Sequence, residues 1–277
     1  MSNHRLNRRE VLAVLGAAAV PQARADGGLL QVTRIDHVSL AVPNIDKAMS
    51  FYRTLFGNDV LKDSRTPRRY LHLGPGYVAI APAPAGQPIR IDHFAAGVKN
   101  YNAATLKASL EKAGLKVRET PVGLFVTDPD GTSVQINSDE SWKELTNASP
   151  EPGIDTAPLF RARGMHHLAI RVSDPEKSAE FYAKLFGPVS RRQGTPPQPW
   201  FQAGESGLGL YYPVAGKKPD VDHFCALVDP FDPAAATTKL QALGADAKLS
   251  KNGRLPEFYD PDGIRLQVMS PPTGAKK

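Results

Sequence analysis

The sequence predicts an α+β protein made of two tandem modules, each assembled from paired β-α-β-β-β units. Three observations lead there. First, the chain repeats itself: Ile35-Asp36-His37-Val38-Ser39-Leu40-Ala41-Val42 matches Met165-His166-His167-Leu168-Ala169-Ile170-Arg171-Val172 at an offset of 130 positions. The same offset pairs Phe51-Tyr52 with Phe181-Tyr182, Leu55-Phe56-Gly57 with Leu185-Phe186-Gly187, and Asp92-His93-Phe94 with Asp222-His223-Phe224. It becomes 132 at Asp128-Pro129-Asp130-Gly131 and Asp260-Pro261-Asp262-Gly263, so the second copy gained two residues between Gly244 and Asp260. Second, within each copy an alternating strand pattern is followed by a helical one, and the pair then recurs. Third, the length of 277 residues suits two domains, with 41% hydrophobic and 22% charged residues, ordinary values for a folded chain.

The elements follow in order. Residues 34–42 alternate and end at Pro43-Asn44, a strand. Ile45, Ala48, Met49, Tyr52, Leu55 and Phe56 lie on one face of a helix over 45–56, which Gly57 stops. Leu71-His72-Leu73 and Tyr77-Val78-Ala79-Ile80 read as strands around Gly74-Pro75-Gly76. The pattern restarts with a strand over 90–98 and a helix over 102–113, with Asn102 as N-cap and Gly114 as its stop. Strands follow near 115–119, 122–127 and 132–137. In the second copy Asp174-Pro175 and Asp232-Pro233 each place an N-cap before a proline at the first helical position. Modules are therefore expected over 33–137 and 164–270, joined by a linker over 138–163 that contains Pro150, Pro152 and Pro158, with a tail over 271–277.

Residues 1–25 read as an export signal. Arg5, Arg8 and Arg9 precede the apolar run Val11–Val20, and Ala23-Arg24-Ala25 supplies a cleavage site. Asn7-Arg8-Arg9-Glu10-Val11-Leu12 resembles a twin-arginine signal, which carries proteins already folded, so a periplasmic or secreted location is expected. A frayed N-terminal helix is the other reading. Removal of this segment takes four arginines and one glutamate from the formal charge of +6, leaving +3. Without clustered Lys/Arg that charge marks no nucleic-acid surface. No apolar run reaches the length of a membrane span, and the one cysteine, Cys225, forms no disulfide framework.

Alternation places His37, Ser39 and Ala41 opposite the helix-packing face of their strand, and His93, Ala95 and Gly97 likewise. Ser133, Gln135 and Asn137 share that side. The second copy divides the same way, with His167, Ala169 and Arg171, then His223, Cys225 and Leu227, then Arg265, Gln267 and Met269. Each copy thus carries a His, a second His 56 residues later, and a Gln 42 or 44 residues beyond that. A curved sheet would gather them in a cup, and imidazole and amide oxygen are competent donors to a divalent first-row metal. A metal-free binding pocket is the competing reading.

These features resemble two modules of the vicinal oxygen chelate superfamily, which includes glyoxalases, extradiol dioxygenases, fosfomycin-modifying enzymes and bleomycin-binding proteins. The resemblance rests on the His-bearing strands, Phe-Tyr-x-x-Leu-Phe-Gly at the first helix, and Asp-Pro-Asp-Gly before the last strand. It implies an open barrel per module, with a metal (Fe2+, Mn2+ or Zn2+) held from the first, fifth and eighth strands. Those positions are His37, His93 and Gln135 in the first module and His167, His223 and Gln267 in the second. The family's metalloenzymes usually carry Glu where this chain has Gln, and glyoxalases place a Glu near the end of the fourth strand, where Val78–Ala81 and Leu208–Tyr211 have no acid.

The expectation is a metal-dependent, dioxygenase-like enzyme for a small phenolic or oxo-acid substrate, with the C-terminal module leading. The alternative is a non-catalytic binder of the bleomycin-resistance type. His72 is read as a proton shuttle or a hydrogen-bonding wall residue, and Arg171 as a partner for an anionic ligand or a structural ion pair. Tyr211 and Trp200 stack on an aromatic ligand or fill the barrel. Cys225 packs as a small hydrophobe, and Asp128-Pro129-Asp130-Gly131 and its copy are tight turns. Whether the modules pair within one chain or in a homodimer is left open.

Overall fold

A computed structural model describes residues 27–155 and 157–271. The export-signal reading of residues 1–25 and nearly all of the tail lie outside the described residues.

The first module comprises β1 (Val32–Val42), α1 (Ile45–Phe56), β2 (Val60–Asp63), β3 (Arg69–Leu73), β4 (Gly76–Pro82), β5 (Arg90–Val98), α2 (Ala103–Lys112), β6 (Arg118–Thr120), β7 (Gly123–Thr127), β8 (Ser133–Ser138) and β9 (Ala148–Pro150). The second comprises β10 (Arg161–Arg171), α3 (Pro175–Phe186), β11 (Arg191–Gln193), β12 (Gln198–Ala203), β13 (Ser206–Tyr211), β14 (Asp220–Asp229), α4 (Pro233–Ala242), β15 (Lys248–Leu249), β16 (Pro256–Tyr259) and β17 (Arg265–Met269). The expected helices are present; Asn102, Asp174 and Asp232 cap them as the sequence implies, and Asn44 is a fourth cap that the sequence reading did not assign. Asn44, Asn102, Asp174 and Asp232 each accept a hydrogen bond from a backbone N–H of the first turn.

Each module is one mixed sheet, ordered β6-β7-β8-β5-β1-β4-β3-β2-β9 and β11-β12-β13-β10-β14-β17-β16-β15. The two βαβββ units meet where β1 pairs antiparallel with β5, and β10 with β14. Parallel pairs flank these strands, β1 with β4, β5 with β8, β10 with β13 and β14 with β17. The segment read as a linker is ordered. It carries a short 3-10 turn, Ser141–Glu144, and the strand β9, which adds to the edge at β2. The two extra residues of the second copy sit in the loop between β15 and β16.

The modules pair within one chain, by reciprocal contacts. The Tyr52 hydroxyl of α1 donates to Asp260 at 3.0 Å, and that of Tyr182 in α3 donates to Asp128 at 2.9 Å. Leu29 and Leu30, ahead of β1, donate backbone bonds to the end of α3, and Leu159 and Phe160, ahead of β10, donate to the end of α1. At the β3–β4 turn, a Cβ on Gly74 would lie 2.5 Å from the Arg163 backbone; one on Gly204 would lie 1.9 Å from Thr33 O. Both glycines also have positive φ, so no other residue fits these close approaches. A single buried core joins Val38, Leu40, Tyr52, Leu168, Ile170 and Tyr182 across the two halves.

The Asp-Pro-Asp-Gly turns are therefore anchors for the opposite module. Tyr52→Phe, which leaves the buried Asp260 carboxylate short of a donor, is expected to lower unfolding free energy by about 1–3 kcal/mol in denaturant titration. Tyr182→Phe should cost a similar amount through Asp128. A double variant as stable as the wild type would contradict this pairing.

Candidate metal centre

The four strand histidines share one local device. The register of β1 against β5 skips Asp36, between Ile35↔Ala96 and His37↔Ala95. It skips Asp92 of β5 between Ser39↔His93 and Leu40↔Ile91. In the second module His166 is the extra residue of β10 and Asp222 that of β14. Each histidine is thus preceded by a bulged residue, and a bulge breaks the alternation so that neighbouring side chains meet on one side. The Nδ1 atom of His37 lies 2.8 Å from Asp36, that of His93 3.1 Å from Asp92, and that of His223 2.7 Å from Asp222. A carboxylate only accepts, so each ring donates its Nδ1–H, and in the neutral form the Nε2 lone pair is left free, the orientation of a carboxylate–histidine–metal unit.

The second module brings its three expected residues together. His167 Nε2 and His223 Nε2 are 3.2 Å apart. Gln267 donates its amide N–H to Glu257 at 3.0 Å, and its side chain lies within hydrogen-bonding reach of both imidazoles. Cross-strand register explains the meeting, because His167, Cys225, Gln267 and Glu257 follow one another across β10, β14, β17 and β16. Around them Asp222 is gripped by Arg171 and by Arg265 at 2.6 Å, and Arg265 also binds Glu257 at 2.9 Å. Tyr211 and Trp200 line the same cup, with ring centroids 5.7 Å from His223 and 5.5 Å from His167 respectively. Trp200 lies over Gly209, where a Cβ would come within 2.7 Å of the indole, and its buried Nε1–H has no partner among the described residues.

The first module holds the same triad in a different setting. His37 and His93 have ring centroids 5.6 Å apart, and Gln135 donates to Val122 O at 2.6 Å. Phe125 stands where the second module has Glu257. Tyr77 stacks on His37 at 4.4 Å, and Trp142 from the 3-10 turn packs against Tyr77. Tyr77 of β4, backed by Trp142 from the segment after β8, therefore fills this cup with aromatic rings, and Ser141 and Asn137 donate to the fully buried Asp36.

His72 is on the cup face of β3 but stacks on Trp142 at 4.4 Å and pairs with Asp59 at 2.7 Å, rather than touching His37 or His93. Arg171 is spent on Asp220 and Asp222, so it acts on the site by holding Asp222. Glu257 and Asp222 escaped the sequence reading, and Arg265, placed on the cup face beside Gln267, was given no role there. The recurrent Asp-His dipeptide, present at three of the four positions, was the available signal.

Burial sets the charge state. His223 is wholly buried, and desolvation, with the Arg265 guanidinium adding to it, pushes its pKa down to about 3. His166 is pushed down to about 4, by burial first and then by Arg191, and burial with the facing His223 and His166 rings lowers His167 well below the usual range. All three are neutral at pH 7, as metal ligands must be.

The set fits a divalent ion. Two imidazole nitrogens bound to one ion at about 2.1 Å are separated by roughly 3.0–3.4 Å, which brackets the observed 3.2 Å. No carboxylate enters the donor set, and Glu257 stands directly behind Gln267.

Comparison with known proteins agrees with this architecture. The family described as Glyoxalase/Bleomycin resistance protein/Dioxygenase superfamily matches residues 34–136 and 164–268. A 2,3-dioxygenase, LapB from Pseudomonas sp. KL28, superposes with a TM-score of 0.64 at 15% identity, over 90% of this chain and 97% of that one. A Mn(II)-bound glyoxalase from Novosphingobium aromaticivorans gives 0.66 at 18% identity, over 87% and 83%. An extradiol ring-cleaving dioxygenase from B. fuscum gives 0.62 at 14%, over 90% and 74%. No curated protein matches the chain. Among the described residues no helix is long and apolar enough to cross a membrane.

The depressed imidazoles make metal-free protein acid-sensitive. An unfolded histidine binds its proton near pH 6.5, whereas these rings refuse it until about pH 4 or 3, so stability is complete above 6.5 and falls as pH drops. For His166 alone the loss is roughly 3 kcal/mol by pH 4. Denaturant unfolding of the metal-free protein between pH 7 and 4 should show this decline, and His166→Gln should make it shallower. A pH-independent midpoint would show that these rings are not buried neutral.

Proposed function

The chain belongs to the Glyoxalase/Bleomycin resistance protein/Dioxygenase superfamily, and from that premise we propose that it is a metal-dependent enzyme whose second module does the chemistry. His167, His223 and Gln267 would hold a divalent ion, and the substrate is a small molecule with two neighbouring oxygens, phenolic or oxo-acid, transformed by dioxygenase-like chemistry. The observation that carries this reading is the 3.2 Å approach of two neutral imidazole nitrogens beside an amide, with no carboxylate among them. A bound divalent ion supplies Lewis acidity toward substrate oxygens. Because these protein donors carry no charge, an anionic, chelating substrate would supply the charge that the site lacks.

The chain's own residues set the rest. Asp222, locked by Arg171 and Arg265, keeps His223 in the tautomer with Nε2 free. Glu257 takes the amide N–H of Gln267 and so turns its carbonyl oxygen toward the imidazoles. The unpartnered Trp200 N–H offers a hydrogen bond to a substrate oxygen, and the Tyr211 ring gives a flat aromatic substrate a wall. The near-complete burial of His167 and His223 keeps water off the reacting atoms. The first module, its cup filled by Tyr77 and Trp142, serves as the packing partner that fixes β10. Residues 1–25 are consistent with folded export to the periplasm or beyond.

Metal content of protein purified without chelators tests the reading. Wild type and His37→Ala should retain one equivalent of iron, manganese or zinc, while His223→Ala should lose it together with turnover of vicinal-diol substrates. Gln267→Glu should tighten metal binding about 10-fold or more by adding a charged donor. Metal kept by His223→Ala and lost from His37→Ala would move the site to the first module. Absence of metal from wild type, with substrate still bound, would establish the binding-protein alternative.

A further inference from the structure

The duplicated copy serves as an internal control. Around the first His of each module, residue by residue, the first module has Asp36, His37, Ala95 and Gln135, and the second has His166, His167, Cys225 and Gln267. The two sets differ at two places only. Asp36 becomes His166 on the bulge, and Ala95, which pairs in register with both His37 and Gln135, becomes Cys225. Both changes introduce soft to borderline donors, and both fall beside the same ring. His166 Nδ1 lies 2.7 Å from His167 Nδ1, and the donor atoms of His166, His167 and Cys225 lie within 4.8 Å of one another. Cys225 is fully buried, and its only polar contact among the described residues is a long one of 3.9 Å to the Ala226 carbonyl.

Hydrogen bonding also prepares this side. His223 gives its Nδ1–H to Asp222, so its Nε2 accepts. The proton shared between His223 Nε2 and His167 Nε2 must then belong to His167. That leaves the His167 Nδ1 lone pair facing His166, with the Cys225 sulfur within 4.8 Å of a donor nitrogen on each ring. The opposite tautomer frees Nε2 for the cup with His223 and Gln267. One imidazole thus faces two donor sets, one of nitrogen and oxygen, the other of nitrogen and sulfur.

The geometry points to a second metal position in the second module, built by His166, the Nδ1 of His167 and Cys225, that takes a thiophilic ion, Cu(I) above all. Two imidazoles and a thiolate are soft to borderline donors, which select Cu(I) and zinc over manganese or magnesium. Three donors without a carboxylate suit the low coordination number of Cu(I). With the Nε2 side empty, His167 keeps its proton on Nε2 and binds through Nδ1; with a divalent ion also on the Nε2 side, the ring would release that proton to solvent and bridge the two ions as an imidazolate.

Metal-stripped full-length protein titrated with Cu(I) under anaerobic competition, and separately with Mn(II), tests the assignment. Wild type should take up one Cu(I). Cys225→Ala and Cys225→Ser should weaken Cu(I) by more than the roughly 10–100-fold that loss of an outer partner costs, with Mn(II) binding unchanged. Restoring the first module's residue with His166→Asp should weaken Cu(I) while leaving the Mn(II) site intact. His223→Ala should abolish Mn(II) binding and spare Cu(I). Near-ultraviolet circular dichroism of each variant reports that the fold is kept, and Cys225→Ser guards against a packing defect in the alanine variant. Failure of wild type to bind Cu(I), or Cu(I) affinity unchanged in both Cys225 variants, overturns the site. Equal loss of Cu(I) in His223→Ala and Cys225→Ala would also overturn it, by merging the two positions into one.

Discussion

The structure turns on a one-residue irregularity used four times. A strand of strict alternation would send Asp222 and His223 to opposite faces of the sheet, and the carboxylate would have no influence on the ring. The bulge on each central strand brings both side chains to the cup, so an acid that costs free energy to bury is compensated by an imidazole N–H and, at Asp222, by two guanidinium groups. Ring orientation, tautomer and convergence of the Nε2 atoms all follow from that placement. The device belongs to the backbone, which is why it survives in a module whose cup is filled.

Duplication then allowed the two copies to diverge around a common frame. Reciprocal contacts of Tyr52 with Asp260 and Tyr182 with Asp128 hold the frame and bind each half to the other's turns. Within it the first module collected aromatic side chains, Tyr70, Tyr77, Phe125 and Trp142, and became a packed cup. The second collected Glu257, Arg265, His166 and Cys225, with glycines at 207 and 209 making room for the Trp200 ring. A filled cup and a polar one thus share a register. The polar one has the orphaned indole N–H and the closely spaced imidazoles that a ligand would complete.

Much of this was legible in the sequence because it rests on periodicity. The offset of 130 is itself a long repeat, and the helix spans 45–56 and 175–186, the strand 90–98 and the face on which His37, His93 and Gln135 lie obey periods of 2 or 3.6. What was missed breaks those periods. Asp36, Asp92 and Asp222 were assigned to no site because alternation puts them opposite their histidines, and only the bulge reverses that. Glu257 lies on a four-residue strand, too short for its face to be read, and its importance depends on register with Gln267 across β17. The segment 138–163, read as a linker from its prolines, is ordered because Trp142 finds Tyr77 and His72 to stack on and β9 finds an open edge at β2. Such long-range partners leave no local trace. His72 was drawn toward the first site by strand position alone, whereas its stacking on Trp142 keeps it off the imidazole pair.

The claim beneath all of this is that bulged carboxylates hold these histidines as Nδ1–H tautomers. Long-range proton–nitrogen correlation spectra of metal-free protein with labelled imidazoles read that directly, ring by ring. His37, His93 and His223 are each predicted to show a protonated Nδ1 and a bare Nε2, and Asp222→Asn should disturb the pattern at His223 and at its hydrogen-bonded neighbour His167, leaving His37 and His93 unchanged. A protonated Nε2 at His223 in wild-type protein would mean that the Asp222 carboxylate does not orient the ring, and the account of the site would be wrong at its base.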